Sequence, residues 1–404
     1  MKFAHLADCH IGSWRDPQLR GFGQRAFCEA ISKSLDSGVD FILISGDLFH
    51  TAQPPMELLR ETVLRLKMCK DNGVPVYIIS GSHDYSPSGK TMLDVLDAAG
   101  LVKNVAQGEE VDGKLRLRFT VDAKTGAKIC GMVGRKGSLE KEYYENLDLS
   151  ALESEPGEKI FMFHSAVLEH RLSGYGGDNA VPLSLFPKGF TYYAGGHVHT
   201  VDSRSEEGYG RFCMPGPTYP DNFEEIERLG QGGFWMYEDG DLRHMPIKIH
   251  PVKTILIDAN GKIAGTVEKM IREESESGIE EGCVVTLRAE GMLDQGKASD
   301  IKWNELAELF NSKGAILLCN TNKLISPELS PVKTSANTVD EIEESVISEH
   351  AGQLRVFPKE IEKRLIKGLM KTLAEEKADG ETVTTFEERL NLACESVFEE
   401  GSRD

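Results

Sequence analysis

Short apolar runs that stop abruptly at a glycine or a metal-donor residue recur through the first half of the chain. They restrict its fold more than any other feature. Phe41–Ser45 (FILIS) ends at Gly46-Asp47, Val74–Ser80 (VPVYIIS) ends at Gly81 ahead of Ser82-His83-Asp84, and Lys159–Phe163 (KIFMF) ends at His164. Lys2–Ala7 stops at Asp8, with His10 two residues on, and Tyr192–Ala194 leads through Gly195-Gly196 to His197 and His199. Continuous apolar runs this short read as strands covered on both faces. Residues two apart on an extended segment point the same way, so both imidazoles of the last pair can face one centre. In open α/β sheets, sites form outside the carboxyl ends of strands. Five strand ends here carry donors.

Helical patterns separate the first runs. Gln18–Ser37 places Phe22, Ala26, Ala30 and Leu35 near one face, and Pro54–Asp71 enters at Pro54-Pro55 and leaves at Asn72-Gly73. Thr91–Ala99 reads as a short helix. This alternation predicts an α/β sheet with βαβ crossovers. Val105–Val133 reads as shorter strands with glycine breaks, and Phe234–Tyr237 with Met245–Ile249 as a closing hairpin around Glu238–Asp241. The pattern restarts after His250-Pro251: strands at Lys253–Asp258, Cys283–Arg288 and Ala315–Cys319 alternate with helices at Ile263–Glu276 and Lys302–Asn311. Ser326-Pro327 and Ser330-Pro331 mark a linker. Beyond it come helices Glu360–Leu373 and Glu387–Phe398, the latter with Thr385 and Glu388 as a capping box. The organisation expected is a first domain over 1–250, a small α+β domain over 251–330, and a helical tail over 331–404.

The 404 residues carry a net charge of −19, concentrated after His250 in runs such as Glu273–Glu276 and Glu341–Glu344. That argues against a generic basic nucleic-acid binder but leaves a metal-assisted DNA substrate open, because bound cations offset local charge. The eight cysteines stand singly, without a CxxC pair, which speaks against thiolate zinc sites and a disulfide framework. No leader peptide and no membrane-spanning run are evident. The expected setting is intracellular and cytoplasmic.

The donor set predicts a centre for two cations. One carboxylate must bridge them, and Asp47 at the end of a buried strand suits that place. Mixed imidazole and carboxylate ligation suits Mn, Fe, Zn or Ni better than Mg or Ca. Such a pair polarises a phosphoryl oxygen and activates water for in-line displacement.

The order Asp-x-His, Gly-Asp, Gly-x-His-Asp, His, Gly-His-x-His resembles the calcineurin-like metallophosphoesterase family. More narrowly, DCHIG (Asp8–Gly12), SGDLFH ending at His50 and MPGPTYP (Met214–Pro220) resemble the DNA double-strand-break repair nucleases of the SbcD and meiotic-recombination-eleven type. That resemblance implies an αββα fold, a β-sandwich flanked by helices, with the small α+β domain capping the site. It implies two divalent ions, most often manganese. Asp8, His10, Asp47 and His199 would hold one, and Asp47, His164 and His197 the other. His83 would protonate the leaving oxygen or stabilise the transition state, and His50 would help place the DNA end or the scissile phosphate. Asp84 is expected to orient His83. The family usually has Asn where this chain has Ser82. A hydroxyl is a shorter, weaker ligand than a carboxamide oxygen, so the second metal is expected to be held more loosely. The implied activity is double-strand exonuclease and single-strand endonuclease action on DNA. The implied partners are a second copy of the chain and an SMC-like ABC-type ATPase of the SbcC type, gripped by the C-terminal helices. The resemblance further implies a nucleoid-associated protein. Alternatives are a phosphatase or cyclic-nucleotide phosphodiesterase of the same fold, or a scaffold that tethers DNA ends.

Other residues receive plainer readings. His5, inside an apolar strand, is expected in the core, and Cys9 in the sheet. His170, His244, His250 and His350 are read as surface residues, and Gly174–Gly177 as a loop near the site. Met56, Leu59, Val63 and Leu66 make a core stripe. Leu58, Leu64 and Met68, with Met92, Val95 and Leu96, offer a second apolar face for a homodimer. Arg15, Lys90 and Arg171 are candidate DNA contacts.

Overall fold

A computed structural model of the chain describes residues 1–85, 91–135, 139–170, 180–326, 343, 347, 358–375, 377–378, 381 and 383–401. Lys90, Arg171, His350, Gly174–Gly177 and the linker residues Pro327, Ser330 and Pro331 lie outside the described residues.

The first apolar run is β1 (Lys2–Leu6), followed by α1 (Phe22–Asp36), β2 (Phe41–Ser45), α2 (Met56–Asp71), β3 (Val76–Ile79), α3 (Met92–Ala98) and β4 (Lys103–Asn104). The four strands pair in parallel, as the alternation predicts. Strand β3 starts later than the apolar run, beyond Pro75, which has no N–H to give a ladder. Thr91 caps α3 by accepting from the Asp94 N–H. A hairpin β5 (Gly108–Val111) and β6 (Lys114–Leu117) then leads to β7 (Thr120–Val121) and β8 (Lys128–Gly131). Two short helices, α4 (Lys141–Glu145) and α5 (Leu149–Glu153), precede β9 (Lys159–His164), β10 (Tyr192–Gly196), β11 (Val201–Ser205) and β12 (Arg211–Pro215). After α6 (Phe223–Leu229), the hairpin β13 (Gly232–Glu238) and β14 (Asp241–Ile247) returns to the first sheet. The orders are β14-β13-β1-β2-β3-β4 and β11-β12-β10-β9-β8-β7.

Two-residue periodicity divides each strand between two interiors. Phe3, Phe41, Tyr77 and Ile79 of the first sheet pack with Ile160, Met162, Tyr192 and Cys213 of the second. The opposite faces, Ala4, Leu6, Ile42 and Ile44, take up Ala26, Phe27 and Ile31 of α1 and Leu66 of α2. Phe161, Phe163 and Tyr193 face outward from the second sheet against Tyr144, Leu152 and Phe186. This is a sandwich of two sheets with helices outside, the αββα class expected. His5 is a core residue, as expected: Nδ1 lies 3.0 Å from the Tyr192 hydroxyl and Nε2 3.0 Å from Ser45 Oγ. Burial pushes its pKa down to about 3. Cys9 is buried in the helix-side core.

Several surface readings fail. His170 packs against the Phe212 ring and pairs with Glu206, and His244 packs on Trp235. His250 lies against Phe22 with Nε2 2.7 Å from the Tyr219 hydroxyl. Each ring has an apolar body and a polar tip, and the fold uses both. Met56, assigned to the core stripe, is 71% exposed on the first turn of α2.

The chain forms two compact units: Met1–Ile255 with Ser275–Leu287 and Ala307–Asn320, and Leu256–Glu274 with Arg288–Leu306 and Thr321–Asp404. The later elements follow the predicted order: β15 (Val252–Asp258), α7 (Ala264–Glu274), β16 (Val284–Met292), α8 (Trp303–Ser312), β17 (Ile316–Asn320) and a short β18 (Leu324–Ile325). In the second unit, helices Lys359–Leu373 and Val383–Gly401 lie close at Gly368, where a Cβ would fall 2.7 Å from Val397 Cγ1. The last helix begins at Val383, so Thr385 stands inside it, and the Glu388 side chain lies outside what is described. Among the described residues, no helix is long and apolar enough to cross a membrane.

Candidate metal centre

The loops that follow β1 and β2 run side by side beyond the sheet. Asp8 N–H donates to the Gly46 carbonyl (3.1 Å), His10 N–H to the Asp47 carbonyl (2.9 Å) and Ile11 N–H to the Leu48 carbonyl (3.1 Å). Within that ladder Asp8, His10 and Asp47 have φ of 49°, 40° and 51°, and His197 has 84°. Six described non-glycine residues adopt positive φ, and these four are among them. Left-handed backbone at non-glycine residues is held against a local cost and clusters at functional sites.

Asp47 is central. Its Oδ2 lies 3.6 Å from His10 Nε2 on one side and 3.1 Å from His164 Nε2 on the other. Its Oδ1 accepts the His83 N–H at 2.7 Å, and the Ser82 hydroxyl lies 3.4 Å from Oδ2. Asp8 accepts the His197 N–H on both oxygens, at 2.9 and 3.1 Å, and its Oδ1 is 3.7 Å from His199 Nε2. Three sets of donors therefore adjoin, each with all atoms within 4.8 Å of one another: Asp8/His10/His199, Asp8/Asp47/His164 and His10/His50/His83. The His197 imidazole stands beside these sets, its ring centroid 5.2 Å from that of His164.

The imidazoles are oriented for ligation. His164 Nδ1 lies 2.8 Å from the Ser45 carbonyl and His83 Nδ1 2.9 Å from the His50 carbonyl. A carbonyl only accepts, so each Nδ1 carries the hydrogen and each Nε2 points to the centre. His164 Nε2 faces the Asp47 carboxylate at 3.1 Å, and His10 Nδ1 and His50 Nδ1 are buried without a hydrogen-bond partner. Buried polar atoms are rarely left so. Orphaned imidazole nitrogens beside two buried carboxylates suit divalent cations, and the residues fit such a pair.

Burial drives the His10 pKa well below its ordinary value and that of His197 down to about 4, the latter aided by nearby His164. Both are neutral and ready to ligate. Burial opposes charge on His164, but the Asp47 carboxylate outweighs it and raises the His164 pKa. Burial likewise opposes charge on Asp47, and His164 and His10 overcome it and hold that carboxyl well down.

Asp84 corrects the sequence reading. Its carboxylate accepts the N–H groups of Leu48 (3.3 Å), Phe49 (3.2 Å) and Gly81 (3.0 Å) rather than touching the His83 ring. The tight loops after β2 and β3 leave these amides without strand partners, and Asp84 satisfies them. Burial, then the charge of Asp47, lifts its pKa to about 6. The sequence reading also missed Asp221 and Glu225. His199 Nδ1 lies 2.6 Å from Glu225 Oε1, and His199, Asp221 and Glu225 form a further set of close donors. The available signal was Asn222-x-x-Glu225, a capping-box pattern directly after MPGPTYP.

Glycines make room for the centre. A Cβ at Gly196 would fall 2.1 Å from the Ser45 carbonyl oxygen and 2.9 Å from His164 Nδ1. Gly196→Ala is expected to cost about 1–3 kcal/mol, the range for overpacking a filled interior, and to loosen metal binding by displacing His164. Urea unfolding with a parallel metal titration checks this, and wild-type values in both would refute it.

Residues 1–201 match the model of the calcineurin-like phosphoesterases. They belong to that family. The domain is that of a metal-dependent phosphodiester hydrolase, and the family implies divalent ions at the donor sets described above. Over longer spans the chain is similar to proteins named DNA double-strand break repair protein Mre11. That of Archaeoglobus fulgidus is 29% identical over 209 residues, covering 49% of this chain and 46% of the relative. That of Methanococcus maripaludis is 26% identical over 399 residues, 94% of this chain and 96% of the relative. The match thus takes in about half the length of the first relative and nearly all of the second. Among solved structures, a dimetal phosphatase from Danio rerio overlaps 61% of this chain and 96% of its own at 11% identity, with a TM-score of 0.42.

Proposed function

We propose that this chain is a manganese-dependent DNA nuclease of double-strand-break repair, with exonuclease action on duplex ends and endonuclease action on single strands. One observation carries the chemistry: the Asp47 carboxylate stands between His10 and His164, with further donors on each side. The DNA substrate rests on the printed names of the relatives. Asp8, His10, Asp47 and His199 would hold one ion, and Asp47, His164 and His197, with Ser82 as a weaker neighbour, the other. Two such ions supply Lewis acidity and an activated water for in-line displacement at phosphorus. His83, its Nδ1–H hydrogen-bonded to a carbonyl, presents Nε2, whose proton in the imidazolium form would pass to the leaving oxygen. His50, its ring 4.9 Å from that of His83, borders the place where the scissile phosphate would lie. Manganese suits the mix of imidazole and carboxylate better than magnesium.

The rest of the assembly follows the same reading. Residues 251–330 would serve as a DNA-specificity region. The described part of 331–404 exposes Met370, Leu373, Leu392 and Phe398 on its two helices, apolar surface for the coiled coil of an SbcC-type ATPase. Of the residues expected on a homodimer face, Leu64, Met68 and Val95 are exposed and would supply it together with exposed Met56, whereas Leu96 is buried and Leu58 and Met92 pack against the core. The setting is intracellular, at the nucleoid.

The test is cleavage of linear duplex DNA and of bis-p-nitrophenyl phosphate by the full chain, with Mn²⁺, with Mg²⁺ and with chelator. Mn²⁺-dependent degradation of the DNA is expected. Turnover of the small ester alone would replace this reading with a small-molecule phosphodiesterase. Retained DNA binding with no turnover of either substrate would replace it with a scaffold.

A further inference from the structure

Helix α6 begins beside the centre, and its third residue does more than cap it. Asn222 Oδ1 accepts the Glu225 N–H at 2.9 Å, the ordinary cap. In a capping box the Glu side chain would return to the cap residue's own N–H. Here Glu225 Oε2 instead accepts the Asp221 N–H at 3.1 Å, one residue earlier, and Oε1 lies 2.6 Å from His199 Nδ1. Arg228, one turn on, donates to the His199 carbonyl at 2.7 Å. The helix thus grips His199 at both ring and backbone. The ring's other nitrogen, Nε2, lies 3.1 Å from His10 Nε2 and 3.7 Å from Asp8 Oδ1. Asp221, held by its amide, places Oδ2 4.0 Å from His10 Nε2.

We infer that Glu225 is a positioning residue for the metal at the Asp8–His10–His199 corner. It fixes the His199 ring with Nδ1 as donor, makes Nε2 a more basic ligand, and through the Asp221 amide sets a further carboxylate facing the same corner. The inference rests on the two-metal reading above. Carboxylates behind ligating imidazoles act in this way, and their loss typically costs about 10–100-fold in metal affinity. A purely structural Glu225 would act on the helix alone, and both metals would feel its loss equally or not at all.

The experiment is calorimetric titration of Mn²⁺ into the metal-free full chain as wild type, Glu225→Gln and Glu225→Ala, with the unfolding temperature of each metal-free protein alongside. Two sites are expected in the wild type. Glu225→Ala should weaken one of them about 10–100-fold and leave the other near its wild-type value. Glu225→Gln should fall between, because its amide oxygen still accepts from Nδ1 but brings no charge. Unchanged affinities in Glu225→Ala overturn the inference. So does equal weakening of both sites in step with a lowered unfolding temperature. Should Glu225→Ala not fold, Glu225→Gln decides: one weakened site supports the inference, and two unchanged sites overturn it. A wild-type chain that binds no Mn²⁺ would remove the two-metal reading together with the inference. DNA cleavage plays no part, so failure of the nuclease assignment alone leaves the result standing.

Discussion

Asp47→Asn yields a folded protein that binds divalent metal at least about 100-fold more weakly, beyond the loss typical of an outer partner, and whose phosphodiesterase activity is lost with it. Asn is the informative replacement because Asp47 sits at φ 51°, where Asn is tolerated and Ala is strained. The amide oxygen can still accept the His83 N–H, now bonded at 2.7 Å, so the loop after β3 keeps its anchor. What disappears is the carboxylate standing between His10 and His164. The stability of the metal-free fold should move little. His164 is protonated there because Asp47 outweighs the effect of burial, and without Asp47 it sheds that proton rather than remaining a lone buried charge. The sign of the pH dependence follows. With its pKa raised, His164 keeps its proton through neutral pH, and an incoming cation must displace it. Wild-type affinity therefore increases with pH, and loading releases a proton that Asp47→Asn does not release. Calorimetry in two buffers of different ionisation enthalpy measures that proton. Equal metal affinity in wild type and Asp47→Asn would refute the bridging role, and wild-type binding indifferent to pH from 6 to 8 would refute the linkage.

The donors at strand ends are legible in the sequence because two simple rules coincide there. A strand buried on both faces must be apolar throughout, and it must stop where polar side chains begin. FILIS-Gly-Asp and KIFMF-His announce both the sheet and the donor. The second interior is equally legible once the strands are known, since the alternation of Phe3 and His5 with Ala4 and Leu6 leaves a face for each layer. What the chain pattern hides is which side chains a folded loop turns inward. Asp84 adjoins His83 in sequence, yet three unpaired amides draw its carboxylate to the backbone. Glu225 lies on a separate helix 26 residues from His199, and only the fold brings their side chains together. His170, His244 and His250 show the same limit from the other side. A histidine without a nearby motif still finds a partner, here Glu206, the Pro215 carbonyl and Tyr219.

His83→Ala should retain its metals and lose about 10²–10⁴-fold in the rate of DNA cleavage, the range for removal of a general acid. His83 is read as a proton donor rather than as a ligand of either ion, so the lost rate should not be accompanied by lost affinity. The ring is held by its Nδ1–H to the His50 carbonyl at 2.9 Å, and its centroid is 4.8 Å from that of His10 and 4.9 Å from that of His50. Nε2 is thus aimed at the centre, where it accepts a proton in the neutral ring and gives one up from the imidazolium. The discriminating measurement compares two leaving groups. A deoxyribose alkoxide leaves poorly unless protonated as the P–O bond breaks, whereas p-nitrophenolate is stable as the anion and needs little help. The mutant's deficit should therefore be large on DNA and small on bis-p-nitrophenyl phosphate, with Mn²⁺ binding unchanged in the same preparation. A deficit of equal size on both substrates would assign His83 to positioning the phosphate instead. A deficit that follows lost metal would place it among the ligands.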